Sequence, residues 1–379
     1  MINCDKNKTE CLVIRPTNYK QYGDSNELQN LRISEKTVNF AKSTRVLGID
    51  IDDNLNFNSH STRIMQSCWF SWYKITRNSN RYCGLNISSL VTLFKTVIMP
   101  KLLYCAPIWL NENNQKTFKQ FYAKVCLRIS GSTHYSPQGI TMLAIGMEPL
   151  KITYNIICTK FILKALSSDA NMSGLIYQIE ESRCHPFYHH ILMAKDYLSS
   201  KCEELQKILH TRHYKHNSST LIQIEPSNFF YSKHDINMQK VKLWRKFFAS
   251  EADKRSMSIL NLDPENPQLI SIEQHKILFP RFSRRLTDTR IMSLIHGHDL
   301  AFMSFKYSAK LASSPFCQTC KHIKDDNMHQ LLHCSRYNCC YRESLLIHSD
   351  PTSVASLVFT SYNKDQLSCF RKMSQIIMA

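Results

Sequence analysis

Hydrophobic residues recur at helical spacing through much of the first half of the chain. Four segments between residues 58 and 169 keep the 3.6-residue period of an amphipathic helix. Asn86 is a candidate N-cap for the second segment, which we expect to end near Pro100, and Gly131 is expected to end the third. The apolar positions are Ile64, Cys68, Trp72 and Ile75; Leu90, Leu93, Phe94, Val97 and Ile98; Phe118, Phe121, Tyr122, Val125 and Ile129; Ile152, Ile156, Ile157, Phe161 and Leu166.

The first 57 residues have a different pattern, typical of β-strands. Residues 10–14, 31–40 and 45–51 are short β-prone runs, and the last of them is followed by polar turn residues at 52–54. Three short runs are too few for an independent sheet domain. We therefore predict a mainly α fold with a small N-terminal β segment, of the α+β class.

The remaining pattern divides the rest of the chain. Residues 170–280 contain helical pieces at 191–209 and 238–248 among polar connectors, 281–312 are helical again, and cysteines cluster within 315–348. The predicted units are a β segment over 1–57, a helical bundle over 58–169, a helical connector over 170–312, a zinc knuckle over 313–345 and a tail over 346–379.

The cysteine cluster has the spacing of a zinc site. Cys317 and Cys320 are three residues apart, His329 follows after eight intervening residues, and Cys334 follows after four more. Four protein ligands complete the tetrahedron that zinc prefers and leave no position for a reacting water, so we expect a structural zinc ion. Neighbouring residues that could replace one of the four are His322, His333, Cys339 and Cys340.

Charge adds a second functional indication. The 379 residues include 48 Lys and Arg against 30 Asp and Glu, a formal net charge of +18, which favours a polyanionic partner such as RNA or DNA. We expect nucleic-acid contacts from two basic clusters: Lys240, Lys242, Arg245 and Lys246; and Arg281, Arg284, Arg285 and Arg290. The aromatic residues among the first cluster, Trp244, Phe247 and Phe248, fit the core side of an amphipathic helix better than base stacking.

Composition also indicates a compartment. The 15 cysteines are scattered through helical segments as small core residues, and polar residues interrupt the N-terminus where a signal peptide would be apolar. No run approaches the length of a membrane span. We therefore expect a soluble protein of a reducing intracellular compartment.

The sequence contains no complete catalytic motif. With only 8 glycines it has no glycine-rich phosphate loop, and no family signature accompanies any Cys and His pair. Asp52 and Asp53 could be compared with a metal-binding carboxylate doublet of a polymerase, but a tight turn between a strand and a helix explains them better. His296 and His298 could begin a second metal site, although no further ligand is placed to complete it. We expect no catalytic residues.

Several short motifs occur along the chain in a distinctive order. They are Asn3 with 8–10 and 12–14; 46–50 with 55–57 and His60; 103–109; 127–129 with Gly131 and Pro137; 146–150; Arg284; 295–298; and 329–331 with Cys334 and Arg342. In this order they resemble the C-terminal part of the reverse transcriptase of non-LTR (LINE-type) retrotransposons, closest to the jockey-like lineages. The resemblance covers 1–166 and 281–343, and the intervening segment only loosely.

The resemblance implies a role for each unit. Residues 1–57 correspond to the palm edge with its primer-grip hairpin, 58–169 to the thumb that holds primer and template, and 313–345 to the terminal CCHC knuckle. It implies RNA and DNA as partners, a nuclear location, and Mg²⁺ only in an intact relative. Asp52 and Asp53 fall after the position of the family's catalytic aspartates.

The departures from the family limit the expected activity. No part of the sequence resembles the endonuclease, the fingers or the catalytic palm. We therefore expect a truncated C-terminal fragment that binds primer–template or target nucleic acid without polymerase activity of its own. Two alternatives remain: a zinc-stabilised protein-interaction module, and a polymerase subunit that acts only with a separately supplied palm.

Overall fold

The structure is a computed structural model, and it describes most of the chain outside the middle segment. The described residues are 10–14, 32–33, 36–37, 39–80, 83–110, 112–168, 174–176, 178–179, 188, 190–192, 240, 242–243, 246–247, 272–296, 302–346, 354–360 and 364–377. Most of the predicted connector, including most of its helical piece at 191–209 and part of the piece at 238–248, therefore lies outside the described residues.

Helices dominate the described part of the chain, as predicted. The first group is α1 (Asn58–Thr76), α2 (Ile87–Leu93), α3 (Met99–Leu102), α4 (Ala106–Trp109), α5 (Glu112–Ser130), α6 (Gln138–Ala144) and α7 (Leu150–Ser168). The second is α8 (Ile272–Leu278), α9 (Arg285–His296), α10 (Met303–Ser308), α11 (Cys340–Leu346), α12 (Val354–Thr360) and α13 (Lys364–Ile377). None of the helices in the described ranges combines the length and apolarity that crossing a bilayer requires.

Short strands occupy the N-terminal region. They are β1 (Glu10–Cys11), β2 (Arg32–Ile33), β3 (Lys36–Thr37), β4 (Asn39–Phe40), β5 (Ser43–Val46) and β6 (Ile49–Asp52). β1 pairs in parallel with β4, β2 pairs antiparallel with β3, and β5 pairs antiparallel with β6. The small N-terminal β segment of the predicted fold class is thus present.

The run over residues 45–51 forms a hairpin rather than one continuous strand. Leu47 and Gly48 have positive φ angles of 48° and 87°, the backbone of a two-residue type I′ turn, so the chain reverses between β5 and β6. The hydroxyl of Tyr104 donates to the carbonyl of Leu47 at 3.0 Å, which fixes the turn against the loop before α4.

The predicted turn follows β6. The carboxylate of Asp52 accepts hydrogen bonds from the backbone N–H groups of Asn56 and Phe57, at 2.9 and 2.7 Å. These bonds join the end of the hairpin to the start of α1, and the buried ring of Phe57 places that start against the core.

The helix that starts at Ile87 differs from its prediction near Pro100. Residues Phe94–Ile98 form a π-helical turn, and the helix continues through Pro100 to Leu102 instead of ending before it. A proline lacks the N–H for the helical ladder and its ring crowds the preceding turn, so a wider turn immediately upstream accommodates it. The predicted N-cap is present: the Asn86 side chain accepts from the N–H of Ser89 at 2.8 Å.

One hydrophobic core joins the helices of the first group to the C-terminal helices. Its largest fully buried side chains include Trp109, Phe94 and Phe121 from the first group, and Phe302 and Phe370 from the second. Rings in the first group meet edge to face, with the Trp72 and Phe94 centroids 5.6 Å apart. This core crosses the predicted unit boundaries, and the five-unit division stays a prediction.

Buried polar contacts also link the two groups of helices. The carboxylate of Asp288 in α9 accepts from the N–H of Ile87 at 2.9 Å, so it satisfies one of the free donors at the start of α2. The amide of Asn86 donates to the carbonyls of Arg281 and Ser283, at 2.7 and 3.0 Å. The start of α2 therefore holds the loop that precedes α9.

Candidate metal centre and basic residues

A tight backbone loop positions the first two cysteines of the candidate metal centre. The N–H of Cys317 donates to the carbonyl of Ile323 at 2.9 Å, and the N–H of Lys321 donates to the carbonyl of Cys317 at 2.8 Å. Lys321 has a φ of 55°, which allows the loop to close on itself. The two cysteines thus lie at the two ends of one turn, and both thiols can reach the same ligand position.

A short helical turn supplies the other two members. His329–His333 form a π-helical turn that is closed by the N–H of Cys334 donating to the carbonyl of His329, at 2.7 Å. The carboxylate of Asp326 accepts from the N–H of His329 at 2.9 Å and so caps the start of this turn.

The four predicted residues converge. One ligand atom from each of Cys317, Cys320, His329 and Cys334 lies within 4.8 Å of the others. The Sγ atoms of Cys317 and Cys334 are 3.8 Å apart, and those of Cys320 and Cys334 are 3.9 Å apart. Sulfur atoms about 2.3 Å from a tetrahedral zinc ion would be separated by about 3.8 Å, whereas a disulfide has sulfurs about 2.0 Å apart. This Cys₃His cluster could hold a metal ion, and its composition is consistent with zinc.

The imidazole of His329 supports the same conclusion. The residue is 3% exposed, and neither Nδ1 nor Nε2 has a hydrogen-bond partner among the described residues. A buried imidazole without partners is costly, and a metal ion would satisfy one of its nitrogens. Burial also lowers the pKa of His329, which favours the neutral form that ligates metals.

The thiols of the cluster have different surroundings. Burial raises the pKa of Cys334 to about 11, whereas the hydrogen bond from Ser335 lowers the pKa of Cys320. The Cys320 Sγ lies 3.6 Å from the Ser335 hydroxyl. Cys320 is thus the thiol of the pair that is more readily deprotonated.

The alternative ligands lie outside the cluster. His322, His333 and Cys340 are exposed, and the thiol of Cys339 donates to the sulfur of Met373 at 2.9 Å. Among the described residues, the cluster that forms is the predicted set of four.

Two buried polar side chains hold the cluster in place. The guanidinium of Arg342 donates to the carbonyls of Leu331, Cys334 and Tyr337, at 3.2, 2.8 and 3.0 Å. The carboxylate of Asp325 accepts from the side chain of Gln330 and from the N–H of Met303, both at 2.9 Å. Asp325 therefore ties the cluster to α10, and Arg342 fixes the backbone around its last cysteine.

The four residues of the arginine cluster differ in how exposed their side chains are. Arg281 and Arg284 are exposed and Arg290 is half-buried, but Arg285 is only 4% exposed. Its guanidinium donates to the carbonyls of Arg128, at 2.8 Å, Ile129 and Asn80. The prediction of a nucleic-acid contact at Arg285 is wrong, because this side chain is engaged in closing the C-terminal end of α5.

The lysine cluster is described only in part. The ammonium group of Lys240 pairs with the Glu148 carboxylate at 2.5 Å, while Lys242 and Lys246 are exposed. Phe247 packs against the core, as predicted. Trp244, Arg245 and Phe248 lie outside the described residues.

A comparison with known proteins bears on the origin of the chain. A segment of 168 residues is 20% identical to the Retrovirus-related Pol polyprotein from type-1 retrotransposable element R1 4 of Nasonia vitripennis. The chain is related to a retrotransposon protein. The match covers 43% of this chain and 43% of that polyprotein, so the chain spans less than half of its relative's length. No protein-family model and no solved structure matches.

In this retrotransposon-related chain the acidic residues near the hairpin have structural partners. Asp50 accepts from the guanidinium groups of Arg45 and Arg63, at 2.8 and 2.5 Å, and these bonds outweigh its burial and lower its pKa. Asp53 accepts from the Asn54 side chain at 2.8 Å. His60 is fully buried beside Asp50 and accepts from its backbone N–H at 3.2 Å.

Sequence patterns gave no structural role for the residues that support the cluster, although Arg342 belongs to the motifs that carry the family resemblance. Asp325 and Arg342 lie among many other charged residues, and only their burial distinguishes them. The His296 ring packs against Thr141, with Nε2 3.2 Å from its hydroxyl oxygen, while Gly297 and His298 lie outside the described residues. The second metal site considered at His296 and His298, for which the sequence offered no completing ligand, thus gains no support from the described residues.

Proposed function

We propose that the chain is the C-terminal, nucleic-acid-binding part of a retrotransposon reverse transcriptase. The observation that carries the proposal is the sequence match to a retrotransposon Pol polyprotein. In this role, residues 1–57 serve as the palm edge, the helices over 58–169 serve as the thumb, and residues 313–345 serve as the terminal knuckle. RNA and DNA are the partners, and the nucleus is the place of action.

Zinc in the Cys₃His cluster is part of the proposal. Cys317, Cys320, His329 and Cys334 would hold the ion, and the separations of their sulfur atoms support a tetrahedral arrangement. Bound there, zinc supplies a cross-link between the loop at 317–323 and the turn at 329–334. Four protein ligands give it a structural role, so the knuckle presents a shaped surface rather than a reaction centre.

Positive charge supports the choice of partner. The excess of 18 positive charges attracts phosphates, and Arg281, Arg284, Lys242 and Lys246 are exposed to meet them. The half-buried Arg290 and Lys240 are further proposed contacts, although the pairing of Lys240 with Glu148 reduces its attraction for phosphate.

We propose no polymerase chemistry for this chain alone. The bonds from Asn56 and Phe57 to Asp52 support the turn interpretation of the acidic pair. Mg²⁺-dependent synthesis would then belong to an intact relative with a catalytic palm.

Binding to an RNA–DNA hybrid at two salt concentrations tests the proposal. Between 50 and 200 mM salt, a protein that contacts about 6–10 phosphates loses roughly 10³–10⁵ in affinity. We expect a loss of this kind, measured by filter binding with the purified full chain. The matched variants are Arg284→Gln, expected to weaken binding, and Lys310→Gln, which changes an exposed lysine that belongs to neither basic cluster.

Two results would contradict the proposal. Affinity that is absent, or that does not change with salt, excludes phosphate recognition. Partners that the chain retains from a lysate after nuclease treatment, together with no affinity for the hybrid, favour the zinc-stabilised protein-interaction module instead.

A further inference from the structure

The surface of α1 carries three exposed aromatic side chains. Trp69, Phe70 and Tyr73 are 39%, 62% and 69% exposed. Their spacing places them on one side of the helix, while Cys68 and Trp72 are buried on the other side at 0% and 3% exposure. The core therefore leaves Phe70 and Tyr73 largely exposed and Trp69 partly exposed, and exposed apolar groups gathered in this way mark an interaction surface.

Basic side chains accompany the rings. The Nζ atom of Lys74 lies 4.4 Å from the centroid of the Phe70 ring, and the Nζ atom of Lys124 in α5 lies 6.0 Å from the Trp69 ring. Arg77 is exposed one turn after Tyr73, and the α1 sequence contains no Asp or Glu. The charge of this surface thus complements an anion.

The aromatic surface is built on a fixed scaffold. The Trp69 ring meets the buried ring of Phe121 edge to face, with centroids 4.7 Å apart. On the same helix, the Ser71 hydroxyl accepts from the ammonium of Lys101 in α3 at 2.8 Å. Neighbouring helices therefore hold α1 from two sides, and a ligand would meet rings that are already positioned.

We infer that Trp69, Phe70 and Tyr73, with Lys74, Arg77 and Lys124, bind single-stranded nucleic acid by stacking on its unpaired bases. The inference rests on the proposed function and adds a separate surface to it. Every unpaired base offers a flat face to an aromatic ring, and the cations hold the phosphates between successive bases. In a duplex the bases are stacked on each other, so only the phosphates can contact this surface.

The test compares oligothymidylate of about 20 nucleotides, longer than the ~4–16 nucleotides of a typical single-strand site, with an RNA–DNA hybrid of the same length. The double variant Phe70→Ala/Tyr73→Ala removes two exposed rings and leaves the core intact. Because each base that stacks on an aromatic side chain contributes about 1–3 kcal/mol of binding free energy, the double variant should bind oligothymidylate about tenfold more weakly or worse. Affinity for the hybrid should change by less than about twofold. Fluorescence anisotropy with labelled oligonucleotides measures both.

Two further variants separate stacking from charge and from general damage. Lys74→Gln should reduce the slope of log affinity against log salt for the single strand by about 0.7, the contribution of one phosphate. Tyr307→Ala removes an aromatic residue of 50% exposure from α10 and should leave both affinities unchanged.

The outcomes distinguish this inference from the proposed function. If the wild-type chain binds both ligands and the double variant binds oligothymidylate equally well, the stacking surface is wrong and the proposed function stands. If the wild-type chain binds neither, both fail. An equal loss in Tyr307→Ala would also overturn the inference. The inference would likewise be overturned if the double variant kept its affinity for oligothymidylate but changed its self-association in sedimentation. In that case the exposed face of α1 would be a contact between protein chains.

Discussion

Two neighbouring arginines differ in what their side chains can reach. The guanidinium of Arg284 is exposed, whereas that of Arg285 donates to the carbonyls of Arg128 and Ile129. These carbonyls belong to the last turn of α5, where no helical N–H remains to satisfy them. Arg285 thus acts as a cap supplied from another helix, and its positive charge is favourable at that end of the helix.

Replacing Arg285 should weaken folding rather than nucleic-acid binding. Arg285→Ala leaves buried carbonyls unpaired, so we expect the free energy of unfolding to fall by roughly 2–3 kcal/mol. Arg284→Ala, the matched control, should change it by less than about 0.5 kcal/mol. Urea unfolding of both variants measures the difference. Equal stability of the two would contradict the capping role.

A half-buried histidine predicts how stability changes with pH. His275 in α8 packs against Gly146, whose φ is 67° and where an added Cβ would lie 3.1 Å from the ring. Burial, and the positive charge of Lys95, lower its pKa from 6.5 to about 4. The unfolded chain therefore binds this proton more strongly between those two values. The free energy of unfolding is therefore not reduced by protonation of His275 above pH 6.5, and it falls as the pH decreases toward 4.

The size of this effect is a few kcal/mol at most, since about 1.4 kcal/mol corresponds to each pKa unit. Unfolding by urea at a series of pH values should show a smaller slope between pH 6.5 and 4 in His275→Gln. The exposed His134 provides the control, and His134→Gln should keep the wild-type slope. A His275→Gln slope equal to that of wild type would show that His275 does not titrate as described.

At the scale of secondary-structure elements, the helical spacing of apolar residues gave the most reliable predictions. It predicted α1 and α5, because each keeps one apolar face toward the core over several turns. It also predicted α7, although this helix is buried on most of its sides and Phe161 is 40% exposed. The π-helical turn before Pro100 was not predictable in this way, because it accommodates the proline and leaves no mark on the spacing of the apolar residues. The β-strand pattern missed the turn at Leu47 and Gly48, although the family resemblance implied a hairpin in this region. A leucine with positive φ is unfavourable locally, and the Tyr104 hydroxyl holds it from another element.

The candidate metal site was predictable as a ligand set and not as a structure. Cysteine and histidine spacing identified four residues and left alternatives such as His333 and Cys339. Only the fold separates them, since His333 is exposed and Cys339 contacts Met373. The sequence could not sort the basic residues at all, because neighbouring arginines have the same side-chain chemistry. Only their burial in the fold distinguishes them.

The carbonyls around the last cysteine depend on one side chain. Arg342→Ala removes the donor shared by Leu331, Cys334 and Tyr337, and should lower zinc affinity about 10–100-fold, as loss of outer-shell support does elsewhere. Competition with a coloured chelator measures this affinity. The exposed Arg336 is the matched control. Unchanged affinity in Arg342→Ala would mean that the ligands hold their positions without it.

At the scale of the whole molecule, the candidate knuckle belongs to the common core. Leu331 and Leu332 are buried in the same cluster as Ile291 of α9 and Phe370 of α13. A change at the metal ligands should therefore reach helices that are far away in sequence.

We expect about one zinc ion per chain, and Cys320→Ser should abolish it because ligation supplies much of a small site's folding energy. The same variant should lower the unfolding temperature of the whole core in calorimetry. Cys340→Ser changes an exposed thiol outside the cluster and should keep both zinc and stability. Full zinc content in Cys320→Ser would refute the ligand assignment.

The hydrogen bond between Ile87 and Asp288 has a consequence for synthesis on the ribosome. The two residues are separated by 201 positions. At about 5–20 residues per second, the ribosome takes roughly 10–40 s to add that length. During this interval α2 has its own Asn86 cap but not the Asp288 carboxylate, and the apolar surfaces that α9 and α13 later cover face water. A nascent chain stalled before residue 288 should therefore recruit chaperones, and release them once α13 has emerged.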